Sequence, residues 1–435
     1  MPVSILASTQ IHTRPLMHID QITEKITAQL KDPTIHQNNP TLATGTAGVL
    51  LLFATLQKKG WAVEHLVHGF VCKIKEQIEK NGIDNLSLYG GVSGICFALE
   101  LASHNGTRYQ PMLQTLQNFL LERIQTYYLD PFKDCMKGSL PVPTGLYDVI
   151  QGLAGIGRYM LQYLHTPRFY ETVEEIIKIL VHFSESKQVN GYLVPGWHLS
   201  ATDTLNIRHQ IDARGNFNLG LAHGITGVLS ILASGAIRNI LVPGQKEAIK
   251  RISTWIQNNS VASSKTIRWP YTVSWDEEID KTRPKKHCRD AWCYGAPGIA
   301  RALFLAAKAL ADDQLQQYAC RAFNDIFTRS RIEWHLPGPM LCHGIAGLMM
   351  ITSAMSQEQE CTGLQTQVDL LKKMLLESHR PDAPYGFRDV EYTPAGELIE
   401  VDKAGFLEGT AGALLCLITV SDPQPEWLLP LLIYE

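Results

Sequence analysis

The chain has 435 residues, 45% hydrophobic and 19% charged, so it is long enough to bury one large core or two ordinary ones. Its formal net charge of −3 provides no basic surface, which argues against nucleic-acid binding. The nine cysteines are scattered and odd in number, which is not typical of a disulfide framework. The opening "MPVSILASTQIHTRPLMH" lacks the pattern of a signal peptide and no apolar run reaches membrane-spanning length, so we expect a cytoplasmic protein.

Pairs of glycines recur along the chain, each followed by an apolar stretch. Every pair consists of a glycine, two residues and a second glycine, as in "TGTAGVLLLF" and "FLEGTAGALLCL". The seven second glycines are Gly48, Gly94, Gly155, Gly227, Gly298, Gly347 and Gly412, and the intervals between them run from 46 to 72 residues. Such self-similarity indicates a repeat architecture.

Two kinds of helix alternate in these repeats. The stretch after each glycine pair is apolar nearly all round, as in a buried helix. The stretches between them, such as 112–125 and 170–183, have apolar residues at three-and-four spacing, as in a half-exposed helix. We therefore predict an all-α fold, a closed α/α toroid of seven inner and seven outer helices. Glycine suits the crowded starts of the inner helices because it permits close backbone approach and positive φ. The alternative is an irregular bundle in which Gly-x-x-Gly recurs in helix-start loops.

Two long intervals contain stretches with little helical character. The segments 183–220 and 256–290 have β-branched and aromatic residues together with turn signals. They are interpreted as irregular insertions, either loops and short strands around one mouth of the toroid or a small inserted substrate-binding subdomain. No stretch has the composition of a linker between independent domains, so residues 1–435 are predicted to form a single domain.

Three glycine motifs differ from the others in the residues before the pair. "LAHG" contains His223, "RDAWCYG" contains Cys293, and "LCHG" contains Cys342 and His343. In a ring, equivalent positions of different repeats converge at one mouth. Two cysteines and a histidine suit zinc, and three protein ligands leave the fourth position open, as in a catalytic site. Taken singly, each cysteine is typical of core packing and His223 of a hydrogen bond at a helix start. Cys288 lies outside the glycine register.

These motifs in this order carry a family resemblance. With "LAHGITG", "RDAWCYGAPG", "LCHGIAG", "YDVIQGLAG" and "FLEGTAG", the chain resembles the lanthionine synthetase C family, and in particular its stand-alone lantibiotic cyclases, from about Thr44 to Leu417. The resemblance implies an α/α toroid with one Zn2+ at its mouth. It implies that the zinc ligands are Cys293, Cys342 and His343, that His223 is the acid/base, and that Asp148, Arg289 and Tyr294 line the site. Without it, Asp148 would be interpreted as a helix N-cap, Arg289 as a surface ion pair and Tyr294 as packing.

The implied activity is that of a zinc-dependent lanthionine synthetase. A cysteine thiol of a precursor peptide adds to dehydroalanine or dehydrobutyrine, which closes a lanthionine or methyllanthionine thioether ring in lantibiotic biosynthesis. The resemblance also implies a separate dehydratase and an exporter as partners in a membrane-associated complex, with the chain cytoplasmic or peripheral at the inner face of the membrane.

Three alternatives remain open. One is an enzyme of similar fold that adds glutathione to dehydrated residues, and another is a non-catalytic zinc-containing scaffold that binds peptides. A glycan-cleaving α/α barrel would need paired carboxylates at the mouth, and only Asp148 and Glu408 are acidic at the motif positions.

Overall fold

A computed structural model describes residues 18–36, 38–138, 140–203, 212–261, 266–282, 286–393 and 397–435. Fourteen helices within these ranges form two concentric layers and are numbered α1 to α14 along the chain. The outer layer consists of α1 (Ile19–Leu30), α3 (Glu64–Asn81), α5 (Gln110–Ile124), α7 (Pro167–Phe183), α9 (Gln245–Asn258), α11 (Asp313–Asn324) and α13 (Gln365–Glu377). The inner layer consists of α2 (Thr46–Lys58), α4 (Val92–Ala102), α6 (Leu153–Met160), α8 (Ile225–Ile237), α10 (Ala296–Leu310), α12 (Ile345–Ser356) and α14 (Thr410–Thr419).

The composition of each helix explains its layer. In α2 every residue from Thr46 to Leu56 is buried, because the helix is apolar on all sides. In α3 only one face is buried, through residues spaced three and four apart such as Val67, Phe70 and Ile74. The same contrast holds between α8, which is buried nearly throughout, and α9. The layers predicted from the sequence are therefore confirmed.

The inner helices form a closed ring. Each packs against the next inner helix along the chain, and α14 packs against α2. The helices α2, α4, α6, α8, α10 and α12 each pack against the outer helix that follows them, whereas α1 packs against α14. The first helix thus supplies the outer partner of the last inner helix, and the predicted α/α toroid is confirmed.

A ring of backbone hydrogen bonds joins the seven glycine loops where the inner helices begin. The residues involved stand two positions before the first glycine of each pair, namely Ala43, Tyr89, Ile150, Ala222, Cys293, Cys342 and Leu407. Each loop donates an amide N–H to the carbonyl of the next loop's member over 2.8–3.3 Å. In the third loop the donor is Val149 rather than Ile150, and Leu407 donates to Ala43, which closes the ring. We call this ring the collar.

The glycines are required by close approach rather than by unusual backbone angles. A Cβ at any second glycine would collide with the carbonyl oxygen six residues earlier in its own loop. At Gly347 that oxygen belongs to Leu341, and the Cβ would also lie 3.3 Å from the Cβ of Trp292 in the preceding loop. The expectation of crowding is confirmed, but the expectation of positive φ holds at only one of the paired glycines, Gly295, with φ of 101°.

The two predicted insertions contribute short strands. In the first, β1 (Ser186–Val189) and β2 (Tyr192–Pro195) form a hairpin, followed by β3 (His198–Leu199) and β4 (Asn216–Asn218). In the second, β5 (Thr272–Ser274) pairs antiparallel with β4, so the two insertions share one sheet in the order β3-β4-β5. A short helix, Trp275–Ile279, follows β5. Residues 204–211, 262–265 and 283–285 of these insertions lie outside the described residues.

A third non-helical insertion, between α13 and α14, was not predicted from the sequence. The strands β6 (Asp389–Tyr392) and β7 (Leu398–Val401) pair antiparallel as a hairpin between α13 and α14. The remaining short elements are the α-helices Asp130–Lys137 and Thr144–Tyr147 and the π-helical turn Gln125–Leu129. Single 3-10 turns occur at Pro33–His36, Leu161–Tyr163, Asp325–Thr328, Arg331–Trp334 and Glu426–Leu431.

The last ten residues fill the interior of the toroid. The turn Glu426–Leu431 and the residues after it are buried from Trp427 to Tyr434. Their backbone carbonyls accept hydrogen bonds from side chains of three inner repeats: Tyr89 to Pro430, Trp292 to Leu431, Arg301 to Ile433 and Arg158 to Tyr434, over 2.6–2.9 Å. The segment therefore gives each of the buried side chains Arg158 and Arg301 at least one hydrogen bond in place of lost hydration.

One disulfide joins Cys320 in α11 to Cys361 after α12. The scattered cysteine positions in the sequence did not predict this pairing. None of the described helices combines the length and the apolar character needed to cross a bilayer.

The collar glycines provide a direct test of the fold. We expect Gly347→Ala to lower the free energy of unfolding by about 3 kcal/mol or more, because the new methyl group meets backbone that has no room to move. The matched control is Gly69→Ala in α3, where an added Cβ meets nothing within 4 Å; it should stabilise the protein by about 0.5–1 kcal/mol. Chemical denaturation measures both, and equal effects of the two substitutions would contradict the close-approach explanation.

Candidate metal and acid/base site

Two cysteines and one histidine meet at neighbouring members of the collar. Cys293 and Cys342 occupy the same position of adjacent loops, and the amide of Cys293 donates to the carbonyl of Cys342 over 3.2 Å. His343 follows Cys342 directly. One donor atom from each residue lies within 4.8 Å of the others. The collar thus brings together residues that are 49 positions apart in the sequence.

The three residues fit a zinc ion. A tetrahedral zinc site has zinc–sulfur distances of about 2.3 Å and zinc–nitrogen distances of about 2.0 Å, so its donors lie about 3.5–3.8 Å apart. Donors within 4.8 Å need only small side-chain rotations to reach that spacing. Two thiolates and an imidazole are soft and borderline donors that suit zinc better than calcium or magnesium. Among the described residues no fourth Cys, His, Asp or Glu joins the group, and Cys288 is not part of it.

The surroundings favour negative charge on the sulfur of Cys293, whereas the hydrogen bond to Cys293 and burial raise the pKa of Cys342 above its ordinary value. The hydrogen bond from the Cys342 thiol lowers the pKa of Cys293 to about 7, against the effect of burial, and His343, Arg289 and His223 act in the same direction. Burial alone would lower the pKa of His343, but the carboxylate of Asp389 and the sulfur of Cys293 raise it above its ordinary value. The cluster therefore combines a readily ionised thiol with an imidazole in contact with a carboxylate.

A second histidine stands on the neighbouring loop in contact with a buried carboxylate. His223 follows Ala222, whose amide donates to the carbonyl of Cys293. Its Nδ1 lies 2.6 Å from Oδ2 of Asp148, while Oδ1 of Asp148 accepts from the amides of Gln151 and Gly152 at the start of α6. Asp148 is fully buried and His223 is half-buried. Asp148 is not the N-cap of α6, which is Gly152; it binds the two amides just before the helix with one oxygen and contacts the histidine with the other.

The electrostatic consequence is a histidine that favours its protonated form. Burial by itself lowers the pKa of His223, but the hydrogen bond and the charge of Asp148, together with the sulfur of Cys293, raise it above its ordinary value. A histidine with a raised pKa retains a proton close to neutral pH and is suited to proton transfer.

Arg289 and Tyr294 both contact Tyr271, and we refer to these three side chains as a wall. Nε of Arg289 donates to the phenol oxygen of Tyr271 over 2.9 Å, and Arg289 forms no ion pair within the described part of the chain. The phenol of Tyr294 accepts from Nδ2 of Asn218 over 3.0 Å, and its ring lies 5.1 Å from that of Tyr271. The surface ion pair considered for Arg289 is therefore not what the structure shows.

Several residues of the site were missed by sequence reasoning. Asn218 is the last residue of β4 and Tyr271 directly precedes β5, in segments whose only signals were β-branched and aromatic residues with turn signals. Asp389 contacts His343 from the hairpin β6–β7, and its sequence context carries no motif. Asp290, buried next to Arg289, forms an ion pair of 2.5 Å with Arg329 that fixes the segment leading to Cys293.

This fold and site define a class. The family model of the lanthionine synthetase C-like proteins matches residues 36–432, so the chain belongs to that family. Among curated proteins, nisin biosynthesis protein NisC from Lactococcus lactis subsp. lactis is 26% identical over 414 residues, which cover 92% of this chain and 91% of that protein. Among solved structures, nisin cyclase superposes with a TM-score of 0.74 at 22% identity, over 95% of this chain and 96% of that one. The recognition of the family and the fold class are both confirmed.

The role of Asp148 in setting the charge of His223 can be measured directly. In Asp148→Asn the carboxylate charge is lost and the effect of burial remains, so the pKa of His223 should fall below its wild-type value. The imidazolium form then disappears at a lower pH. A histidine NMR titration, assigned with His223→Asn, gives both midpoints. Asp276→Asn removes an exposed carboxylate elsewhere and should leave the titration unchanged. An unshifted midpoint in Asp148→Asn would contradict the assignment.

Proposed function

We propose that this protein is a zinc-dependent peptide cyclase of lantibiotic biosynthesis. Its substrate is a dehydrated precursor peptide, and its reaction adds a cysteine thiol of that peptide to dehydroalanine or dehydrobutyrine. The product is a lanthionine or methyllanthionine thioether ring. The name of the curated relative, a nisin biosynthesis protein, and that of the structural match, nisin cyclase, support this assignment.

One observation carries the proposal. The collar holds the cluster of Cys293, Cys342 and His343 on loops adjacent to the one that holds the His223–Asp148 pair. A thiol-binding centre and a proton-transfer group on neighbouring loops are what a thiol addition requires. A scaffold that only binds peptides has no need of a buried carboxylate behind an accessible histidine.

The cluster accounts for the binding of the nucleophile. Cys293, Cys342 and His343 would hold a single zinc ion, which when bound supplies a Lewis-acid position for the substrate sulfur and favours its thiolate. As thiolates, Cys293 and Cys342 would offset the two positive charges of the ion, so a bound substrate sulfur would remain nucleophilic, which suits carbon–sulfur bond formation.

The His223–Asp148 pair would carry out the proton transfers of the reaction. The substrate thiol loses one proton, its sulfur bonds to the β-carbon, and the electrons of the double bond move to an enolate that is protonated at the α-carbon. Nδ1 of His223 faces Asp148, so Nε2 is the ring nitrogen turned to the substrate side. His223 can thus accept the thiol proton, deliver a proton to the α-carbon, or do both in turn.

Arg289 and Tyr294 are the groups that would stabilise the negative charge that develops during the addition. The Arg289 side chain is directed by the phenol of Tyr271 and has no carboxylate partner among the described residues. A guanidinium without a fixed counter-ion is available to stabilise the enolate oxygen. The phenol of Tyr294, held by Asn218, stands on the same wall.

The substrate must reach this centre as a peptide, already dehydrated. We place its path between the sheet β3–β5, which carries Asn218 next to Tyr294, and the hairpin β6–β7, which carries Asp389 next to His343. The proposal requires a dehydratase upstream of this protein. It includes an exporter and a cytoplasmic, membrane-associated assembly, which the family resemblance supports.

The ligand assignment is tested with single cysteine variants. Cys293→Ala and Cys342→Ala should each lose both bound zinc and ring closure, whereas Cys288→Ala removes a nearby buried thiol and should retain both. Zinc is measured by elemental analysis. Ring closure of a dehydrated precursor is measured by loss of free thiol without a change of mass. An adduct mass with added glutathione would instead identify intermolecular addition, and stoichiometric zinc in both alanine variants would remove the ligand assignment.

The proton-transfer role is tested separately. His223→Asn should retain zinc and lower the rate of ring closure by about 10²–10⁴-fold, the usual contribution of a positioned acid or base. His182→Asn replaces an exposed histidine at the end of α7 and should leave the rate unchanged. A rate in His223→Asn equal to that of the wild type would exclude the role.

A further inference from the structure

A buried carboxylate stands behind the proposed ligand His343. Asp389 has no exposed side-chain surface, and neither of its oxygens has a hydrogen-bond partner among the described residues. Its nearest charged or chargeable neighbours are Nε2 of His343 at 3.5 Å and Nζ of Lys403 at 3.6 Å. A buried carboxylate without hydrogen bonds is costly, so its position calls for a partner that supplies them.

The chain provides a dedicated place for this carboxylate. Asp389 is the first residue of β6 and pairs with Val401 on β7, which brings Lys403 to the same end of the hairpin. Gly338 leaves the space that Asp389 occupies, since a Cβ there would lie 3.0 Å from Oδ1. The carboxylate is thus held between the hairpin and the loop that leads to Cys342 and His343.

The charge of Lys403 does not explain why a carboxylate is buried at position 389. Lys403 already contacts Glu408 at 2.8 Å and also Glu391, both of which are partly exposed. Those two carboxylates bond the ammonium directly, whereas Asp389 lies further from it. Of these three carboxylates, only Asp389 forms an ion-pair contact with the imidazole of His343.

We propose that Asp389 is a positioning residue that accepts a hydrogen bond from Nε2–H of His343 and thereby presents Nδ1 to the metal. Metal-binding histidines commonly donate their other ring N–H to a carboxylate, which fixes the tautomer and the orientation of the ring and makes it a stronger donor. The inference rests on the proposed ligand set but not on the proposed reaction.

Each of the two histidines at the mouth then has a carboxylate beside one ring nitrogen, but the nitrogen differs between them. Asp148 contacts Nδ1 of His223 and leaves its Nε2 for the substrate, while Asp389 lies 3.5 Å from Nε2 of His343 and, as proposed, leaves its Nδ1 for the metal. The choice of ring nitrogen follows from the side on which each carboxylate lies. One imidazole is thereby assigned to proton transfer and the other to metal binding.

The wild-type protein provides the first test. Histidine-selective 15N NMR of the zinc-loaded protein, assigned with His343→Gln, reports which ring nitrogen carries hydrogen. We expect Nε2 to be protonated and Nδ1 to be bound to zinc. Zinc on Nε2 would overturn the proposal, and this measurement does not depend on whether any variant folds.

The second test uses a matched pair of variants on β6. Asp389→Asn should weaken zinc binding by about 10–100-fold, measured by competition with a chelator, and should alter the visible spectrum of the cobalt-loaded protein. Glu391→Gln removes a charge from the same cluster without touching His343 and should leave both unchanged. Circular dichroism of the zinc-free proteins verifies folding.

The outcomes separate this inference from the proposed function. Wild-type affinity in Asp389→Asn, or equal weakening in both variants, would overturn the positioning role and leave the cyclase proposal intact. Retention of zinc by Cys293→Ala would instead remove the ligand set itself. Neither measurement involves ring closure.

Discussion

The collar of backbone hydrogen bonds is the interaction on which the rest of the structure depends. Each glycine loop donates an amide to the next, and Leu407 returns the ring to Ala43. Because the bonds involve the backbone, the side chains at each position vary freely between repeats. Some loops therefore contribute alanine or leucine to the mouth and others cysteine. The collar requires close packing of loop on loop, and the second glycines meet that requirement by having no Cβ.

Ring closure distinguishes this molecule from an open repeat protein. An open solenoid leaves its terminal repeats exposed and needs caps. Here α1 completes the hairpin of α14, and the final ten residues fill the interior, where their carbonyls accept hydrogen bonds from Arg158 and Arg301. Both ends of the chain thus complete the fold, and the rigid ring that results holds the mouth loops at fixed distances.

Each of the two histidines at the mouth of the toroid has a buried carboxylate beside its ring. His223 and His343 stand at equivalent positions of two loops, each in contact with a buried carboxylate from a different element. Asp148 is satisfied by backbone amides at the start of α6, whereas Asp389 has no such bonds among the described residues. The first arrangement fits the proton-transfer role proposed for His223, and the second fits the metal ligation proposed for His343. Arg289 donates a hydrogen bond to the uncharged phenol of Tyr271, which orients the guanidinium without neutralising it.

The sequence by itself determined the ring and the convergence of its loops. The glycine repeats and the alternation of wholly apolar with half-apolar stretches predicted both helix layers, because burial requires apolar side chains and close approach requires glycine. The equivalent positions of Cys293, Cys342 and His343 in their repeats also predicted that these residues lie close together, as the structure shows. Only the tertiary structure decided what surrounds them. Asn218 and Asp389 lie on short strands and Tyr271 directly precedes one, and no local pattern records which of their residues the fold brings to the mouth. The Cys320–Cys361 disulfide and the path of the last ten residues were hidden for the same reason, since contacts between distant segments depend on the closed ring and not on local sequence.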